Sequence, residues 1–104
     1  MSEWIDAGAA EPSEPGEVRT LEEDGRLLAL AHVGGRWYAF DDTCTHHDCP
    51  LADGYLSEAT IECDCHGSVF DLTTGAVLRG PATSAIAVHT VEVLAGRLRV
   101  RLAG

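Results

Sequence analysis

All four cysteines and three of the five histidines of this chain fall in one stretch, CTHHDCPLADGYLSEATIECDCHGS, from Cys44 to Ser68. It holds two short knots, Cys44-Thr45-His46-His47-Asp48-Cys49 and Cys63-Asp64-Cys65-His66. Each knot lies between β-type runs, so each is expected at the tip of a loop. Sulfur and imidazole donors together suit zinc or an iron–sulfur cluster. Either use demands that the two tips converge, and this limits the chain to folds that hold two loops side by side. A structural zinc site commonly pairs like with like, Cys-x₂₋₄-Cys and His-x₃₋₅-His. Here Cys44-x-His46 and Cys63-x-x-His66 each offer one thiol and one imidazole. That division suits two metal ions side by side, each loop feeding both, as in a [2Fe–2S] centre with two thiolates on one iron and two imidazoles on the other. A Cys₂His₂ zinc module is the alternative.

The rest of the chain limits the setting. Its 104 residues allow one domain, 1–104. A core of that size often needs a metal or disulfide staple. The longest apolar run, Leu27–Ala31, is far short of a membrane span. The start, with Glu3 and Asp6, lacks the basic-then-apolar pattern of a secretion signal. The expectation is a cytoplasmic monomer with no membrane contact. Seventeen acidic residues face seven arginines and no lysine, a net charge of −10. This argues against nucleic acid as a partner, since phosphate contacts dominate that affinity. It permits steering towards a basic protein surface.

Strands are expected at Glu3–Ala7, Val18–Leu21, Leu27–Val33 and Arg36–Phe40, the last two joined at Gly34-Gly35, a strong hairpin signal. Leu27–Val33 is apolar on both faces and should be covered on both. Ala9–Glu17, rich in Pro, Glu and Gly, reads as a surface loop. Beyond the Cys/His stretch, Ser68–Asp71 and Ala76–Leu78 flank Thr73-Thr74-Gly75, and Ile86–Leu94 and Arg97–Leu102 flank Ala95-Gly96. The apolar parity changes between Ile86/Val88 and Val91/Val93, which suggests a β-bulge near His89. Period 2 in the last strand puts Arg97, Arg99 and Arg101 on one exposed face. His32 and His89 are expected to be structural. Trp37, Tyr38 and Phe40 are expected as core and face residues of their strand. No amphipathic helix is evident, and the chain reads as all-β.

The spacing Cys44-x-His46, sixteen residues, Cys63-x-x-His66 resembles the Rieske [2Fe–2S] motif. Around it Pro50-Leu51, Asp53–Leu56, Ile61–Cys63, His66-Gly67-Ser68, Phe70-Asp71 and Thr74-Gly75 are similar to small Rieske ferredoxins of ring-hydroxylating dioxygenases. The likeness covers nearly the whole chain. It implies an antiparallel β-sandwich base, residues 1–42 and 83–104, carrying a two-loop cluster-binding subdomain at about 43–82. It implies that Cys44 and Cys63 hold the inner iron, and His46 and His66 the outer one near the surface. Gly80-Pro81 resembles the third loop, which covers the cluster. The function implied is that of a one-electron carrier, not an enzyme, between a ferredoxin reductase and a terminal oxygenase. A Rieske protein serving another oxidase, or redox sensing, is the alternative. With neutral imidazoles the oxidised centre carries no net charge, which raises its potential into the range of about −150 to +300 mV. The second ring nitrogen of each ligand histidine allows protonation to be linked to oxidation state.

Cys49 and Cys65 remain. They resemble the loop-bridging disulfide of cytochrome bc-type Rieske proteins; two reduced thiols packed under the cluster are the alternative in a reducing compartment. Ser68 stands where high-potential members place a hydroxyl on a cluster sulfide, and Phe70 where they place a tyrosine. One hydrogen-bond donor kept and one lost implies an intermediate potential. His47 falls outside the motif and is expected at the surface, where a partner could touch it.

Overall fold

The computed structural model describes residues 4–14, 16–45 and 49–103. Among these residues ten strands form two antiparallel sheets. The larger has six strands: β1 (Ile5–Ala9), β2 (Val18–Glu23), β3 (Arg26–Val33), β4 (Arg36–Asp41), β9 (Val88–Leu94) and β10 (Arg97–Arg101), in the order β1-β10-β9-β4-β3-β2. The smaller holds β5 (Tyr55–Ser57), β6 (Thr60–Glu62), β7 (Val69–Asp71) and β8 (Val77–Arg79), in chain order. One turn of 3₁₀ helix, Leu51–Asp53, precedes β5. Among the described residues no helix is long and apolar enough to cross a membrane.

Turn chemistry sets the large hairpins. Gly34 and Gly35 have φ of 61° and 79°, the left-handed pair that a two-residue hairpin needs. They set Val33 opposite Arg36, and the register runs on to Leu28 opposite Asp41. Ala95 and Gly96 do the same for Leu94 and Arg97.

The six-stranded sheet folds over itself as a sandwich. Ala7, Leu30, Ala39, Leu98 and Val100 meet inside it, with Trp37 and Val91 packed against them. Its other face carries a second core, in which Ala29, Ala31 and Phe40 pack on Ile61 and Phe70 of the smaller sheet. Leu28, Ala29, Leu30 and Ala31 are therefore all buried, as an apolar pattern on both faces requires. Only Leu27, at the strand's start, stays half exposed.

The expected bulge near His89 is not found. β9 pairs in regular register with β10 from Thr90 to Leu94, and with β4 at Val88 and His89. The parity change has another cause: Ile86 and Val88 serve the outer core, and Val91 the inner one. Ile86 itself lies before the strand, and its amide bonds the Gly75 carbonyl. The register shifts occur instead in the β1/β10 pair and between β7 and β8. Strand β1 runs to Ala9, beyond its expected end. The short strands β5 and β6 were not expected. Arg97, Arg99 and Arg101 do share the outer face; Arg97 pairs with Asp6, while Arg99 and Arg101 sit over the Trp4 ring at 4.9 and 5.0 Å.

Candidate metal centre

Two loops emerge side by side from these sheets. The first leaves β4 and is closed at its base by the Cys44 amide on the Cys49 carbonyl, 3.0 Å, and by a Thr43–Pro50 bridge. The second joins β6 to β7. There the Cys63 amide meets the Ser68 carbonyl at 2.7 Å, and the Gly67 amide returns to the Cys63 carbonyl at 3.0 Å. Gly67 has φ of 80°, a conformation that L side chains resist, so the turn behind His66 depends on glycine.

A Cys49–Cys65 disulfide joins the loops, with Cα atoms 6.5 Å apart. The remaining thiols, Cys44 and Cys63, are free and buried, 3% and 2% exposed. Both belong to one buried cluster. Burial pushes the Cys63 thiol up, and its contact with Cys44 adds to this; the amides of Cys65 and His66 act in the opposite sense by donating to Cys63. The buried Cys63 thiol resists ionisation when left to itself, because desolvation penalises charge. A metal ion supplies the missing positive charge, and the converging amides already favour thiolate. The donor set thus fits the sulfur-ligated half of a [2Fe–2S] cluster. His66 lies at the exposed tip of the second loop. His46 and His47 lie outside the described residues.

Neighbouring groups brace the loops. Ser68 is fully buried, and its hydroxyl accepts the Ala82 amide at 3.0 Å. This leaves the Ser68 proton for another acceptor. The Thr45 hydroxyl donates to the Ser84 carbonyl at 2.6 Å. The segment after Gly80-Pro81 is thereby tied to both loops; Pro81 itself is exposed and Ala82 is the buried residue. Phe70 is fully buried in the outer core, among Ile61, Leu72 and the two thiols' residues. Asp42, nearly buried, accepts the Ala52 amide at 2.8 Å. Burial raises its carboxyl above the ordinary range, despite that hydrogen bond.

Two residues escaped the sequence reading. Arg79 donates through Nε to the Gly67 carbonyl at 3.1 Å and pairs with Glu62 at 3.2 Å, clamping the turn that carries His66. Tyr55 donates its hydroxyl to Asp64, between the two cysteines of the second loop, at 3.0 Å. No pattern flags either one, because each partner depends on the register of strands only three residues long.

The Rieske [2Fe–2S] domain family matches residues 3–92. Ferredoxin CarAc of Metapseudomonas resinovorans is 38% identical over 98 residues, 93% of this chain and 92% of its own. The ferredoxin component of a naphthalene 1,2-dioxygenase system from Pseudomonas aeruginosa is 37% identical over 95% of each chain. A chain in the solved complex of reduced oxygenase and oxidized ferredoxin in carbazole 1,9a-dioxygenase superposes with a TM-score of 0.88 at 38% identity, covering 93% of this chain and 91% of that one. Fold, buried thiol pair and full-length likeness agree: the chain belongs to the Rieske [2Fe–2S] domain family, among its small electron-carrying ferredoxins.

Proposed function

We propose that this chain passes single electrons from a ferredoxin reductase to a terminal ring-hydroxylating oxygenase, with Cys44, Cys63, His46 and His66 as the four cluster ligands. The observation that carries the assignment is the buried Cys44–Cys63 thiol pair beneath an exposed His66 tip. Relatives named as ferredoxin components, similar over nearly their whole length, support the partner class. In this reading residues 43–82 form the cluster-binding end, and residues 1–42 with 83–104 the base. A cytoplasmic, monomeric carrier belongs to the same proposal.

The bound [2Fe–2S] cluster supplies reversible one-electron storage at a potential raised by its imidazole ligands. The chain's own residues do the rest. The outer core keeps water from the thiol side, with Phe40, Phe70, Leu51 and Ile61 all 0–1% exposed. The exposed His66 imidazole offers a partner the short path to the centre. In this reading Ser68 donates its hydroxyl proton towards the cluster; its oxygen accepts the Ala82 amide. Phe70 lacks such a donor, and Phe70→Tyr is expected to raise the potential. His47 is assigned to the docking rim. Such contacts are transient and small in area. The net charge of −10 serves encounter rate more than affinity.

The test is an absorption and paramagnetic-resonance spectrum of the purified protein, followed by a redox titration and reduction of a purified ring-hydroxylating oxygenase. A coloured protein, paramagnetic when reduced and able to pass electrons, is expected. A colourless zinc protein would overturn the cluster assignment. A coloured one that no such oxygenase oxidises would overturn the partner class.

A further inference from the structure

We propose that Cys49, Cys63 and Cys65, once the Cys49–Cys65 bridge is reduced, form a three-thiolate site for a soft divalent cation such as Zn²⁺. Their three sulfur atoms all lie within 4.8 Å of one another. A Zn–S length of about 2.3 Å places sulfurs of a tetrahedral site roughly 3.8 Å apart, so small side-chain rotations suffice. The three come from both loops, and a cation there replaces a covalent tie between the loops with a coordinate one. Cys63 is buried, Cys49 half-buried and Cys65 exposed, which gives a cation a way in from solvent. Cys44, buried in the same core as Cys63, is the remaining thiol for the fourth position. An all-sulfur set selects soft ions over the hard ones.

The opening step is thiol–disulfide exchange with a dithiol, the reductant class that keeps cytosolic thiols reduced. The dithiol is oxidised to its own disulfide. Its two electrons and two protons pass to the bridge, leaving Cys49 and Cys65 as thiols. Cation binding then releases the three thiol protons to solvent. Because Cys63 cannot serve both sites, the closed bridge acts as a selectivity device: it withholds two sulfurs and leaves Cys63 for the cluster. That competition rests on Cys63 being a cluster ligand; the cation site itself does not.

The probe is Co²⁺ added alone to the full chain prepared without cluster, with the bridge closed or opened by a phosphine and desalted under argon. One equivalent bound with the strong charge-transfer band of a three-thiolate cobalt site is expected for the reduced chain, and weaker binding with a smaller band, from Cys44 and Cys63 alone, for the bridged one. The Cys49→Ser, Cys65→Ser double variant is expected to lose more affinity than the roughly 10–100-fold that an outer-sphere partner is worth. Equal binding by bridged and reduced chains, or by the double variant and the reduced chain, would assign the ion to Cys44, His46, Cys63 and His66 and overturn the proposal. Far-UV circular dichroism of each sample reports whether the chain is folded. If the reduced chain without cluster is not, the loaded protein decides. Excess Cd²⁺ is then expected to bleach the visible spectrum faster after dithiol treatment, and no faster in the double variant. Equal rates with the bridge open or closed would overturn the proposal. A chain that takes Co²⁺ as expected but never a cluster would overturn the proposed function alone.

Discussion

The two faces of the six-stranded sheet serve two cores of different make-up. The inner one joins Ala7, Leu30, Ala39, Leu98 and Val100 within a single sheet, and these buried members are all aliphatic. The outer one joins that sheet to strands of only three residues and includes the thiols Cys44 and Cys63. Long strands with glycine-set hairpins specify the first locally. The second depends on contacts between loops, closed by a disulfide, by the Ser68–Ala82 and Thr45–Ser84 hydrogen bonds and by Arg79. The six-stranded sheet thus rests on its own strand pairings, while the site is a set of loops held in place from several sides.

Substitutions that separate the two cores test that contrast. The largest effect is expected from Cys63→Ser. It removes a proposed ligand in the outer core, so the visible spectrum of the cluster should vanish while the far-UV β signature of the base persists. Loss of both together would mean that the base does not stand alone. Next come Phe40→Ala and Leu98→Ala, truncations of fully buried side chains in the outer and inner core respectively. Each should cost about 2–5 kcal/mol in urea unfolding. Only Phe40→Ala should also hasten loss of the cluster colour and shift the reduction potential; identical shifts from both would erase the distinction. Opening the bridge with Cys49→Ala and Cys65→Ala follows. The cysteines are 16 residues apart in sequence, and a loop of that length is worth about 3 kcal/mol of denatured-state entropy. Urea midpoints of the loaded proteins measure it, and an unchanged midpoint would show that the coordinated ligands already close the loop.

The base was the more legible half. The Gly34-Gly35 and Ala95-Gly96 turns, the arginine face of β10 and the burial of Leu28–Ala31 on both sides follow from local rules. The two cysteine pairs are also separable, one matching the ligand motif and the other left over. What escaped is long-range. The strands at Tyr55–Ser57 and Thr60–Glu62 are too short to show a period. The parity change at His89 looked like a bulge because a segment that feeds one core at Ile86 and Val88 and the other at Val91 produces the same pattern. His89 is instead locked in place: its Nδ1 accepts the Ala103 amide at 3.0 Å, and Nε2 faces Asp41 at 2.8 Å. Asp41 is also paired with Arg26 at 3.1 Å. None of these three partners can be read from spacing.

The smallest expected effects come from two adjacent carboxyls that face the two halves of the molecule. Burial works to raise Asp41, but the Arg26 and His89 hydrogen bonds outweigh it and hold the carboxyl below its ordinary value. Asp42 turns to the loops, and burial there leaves its carboxyl above that value. The signs of linkage are therefore opposite. A depressed folded pKa contributes stability above the unfolded pKa, about 3.9 for Asp, and loses it as pH falls through the folded one. Asp41→Asn should accordingly flatten the acid side of the stability profile, by about 1 kcal/mol or less for a partly exposed pair. A raised folded pKa costs stability where the group is ionised, and that cost lifts as pH falls through the folded value towards the unfolded one. Asp42→Asn keeps an oxygen for the Ala52 amide and removes the cost, so stability at neutral pH should hold or rise. Urea unfolding of the two variants between pH 3 and pH 7 measures both slopes. If Asp41→Asn leaves the acid limb unchanged, or Asp42→Asn destabilises at neutral pH, then the chain does not change electrostatic character between these two neighbours.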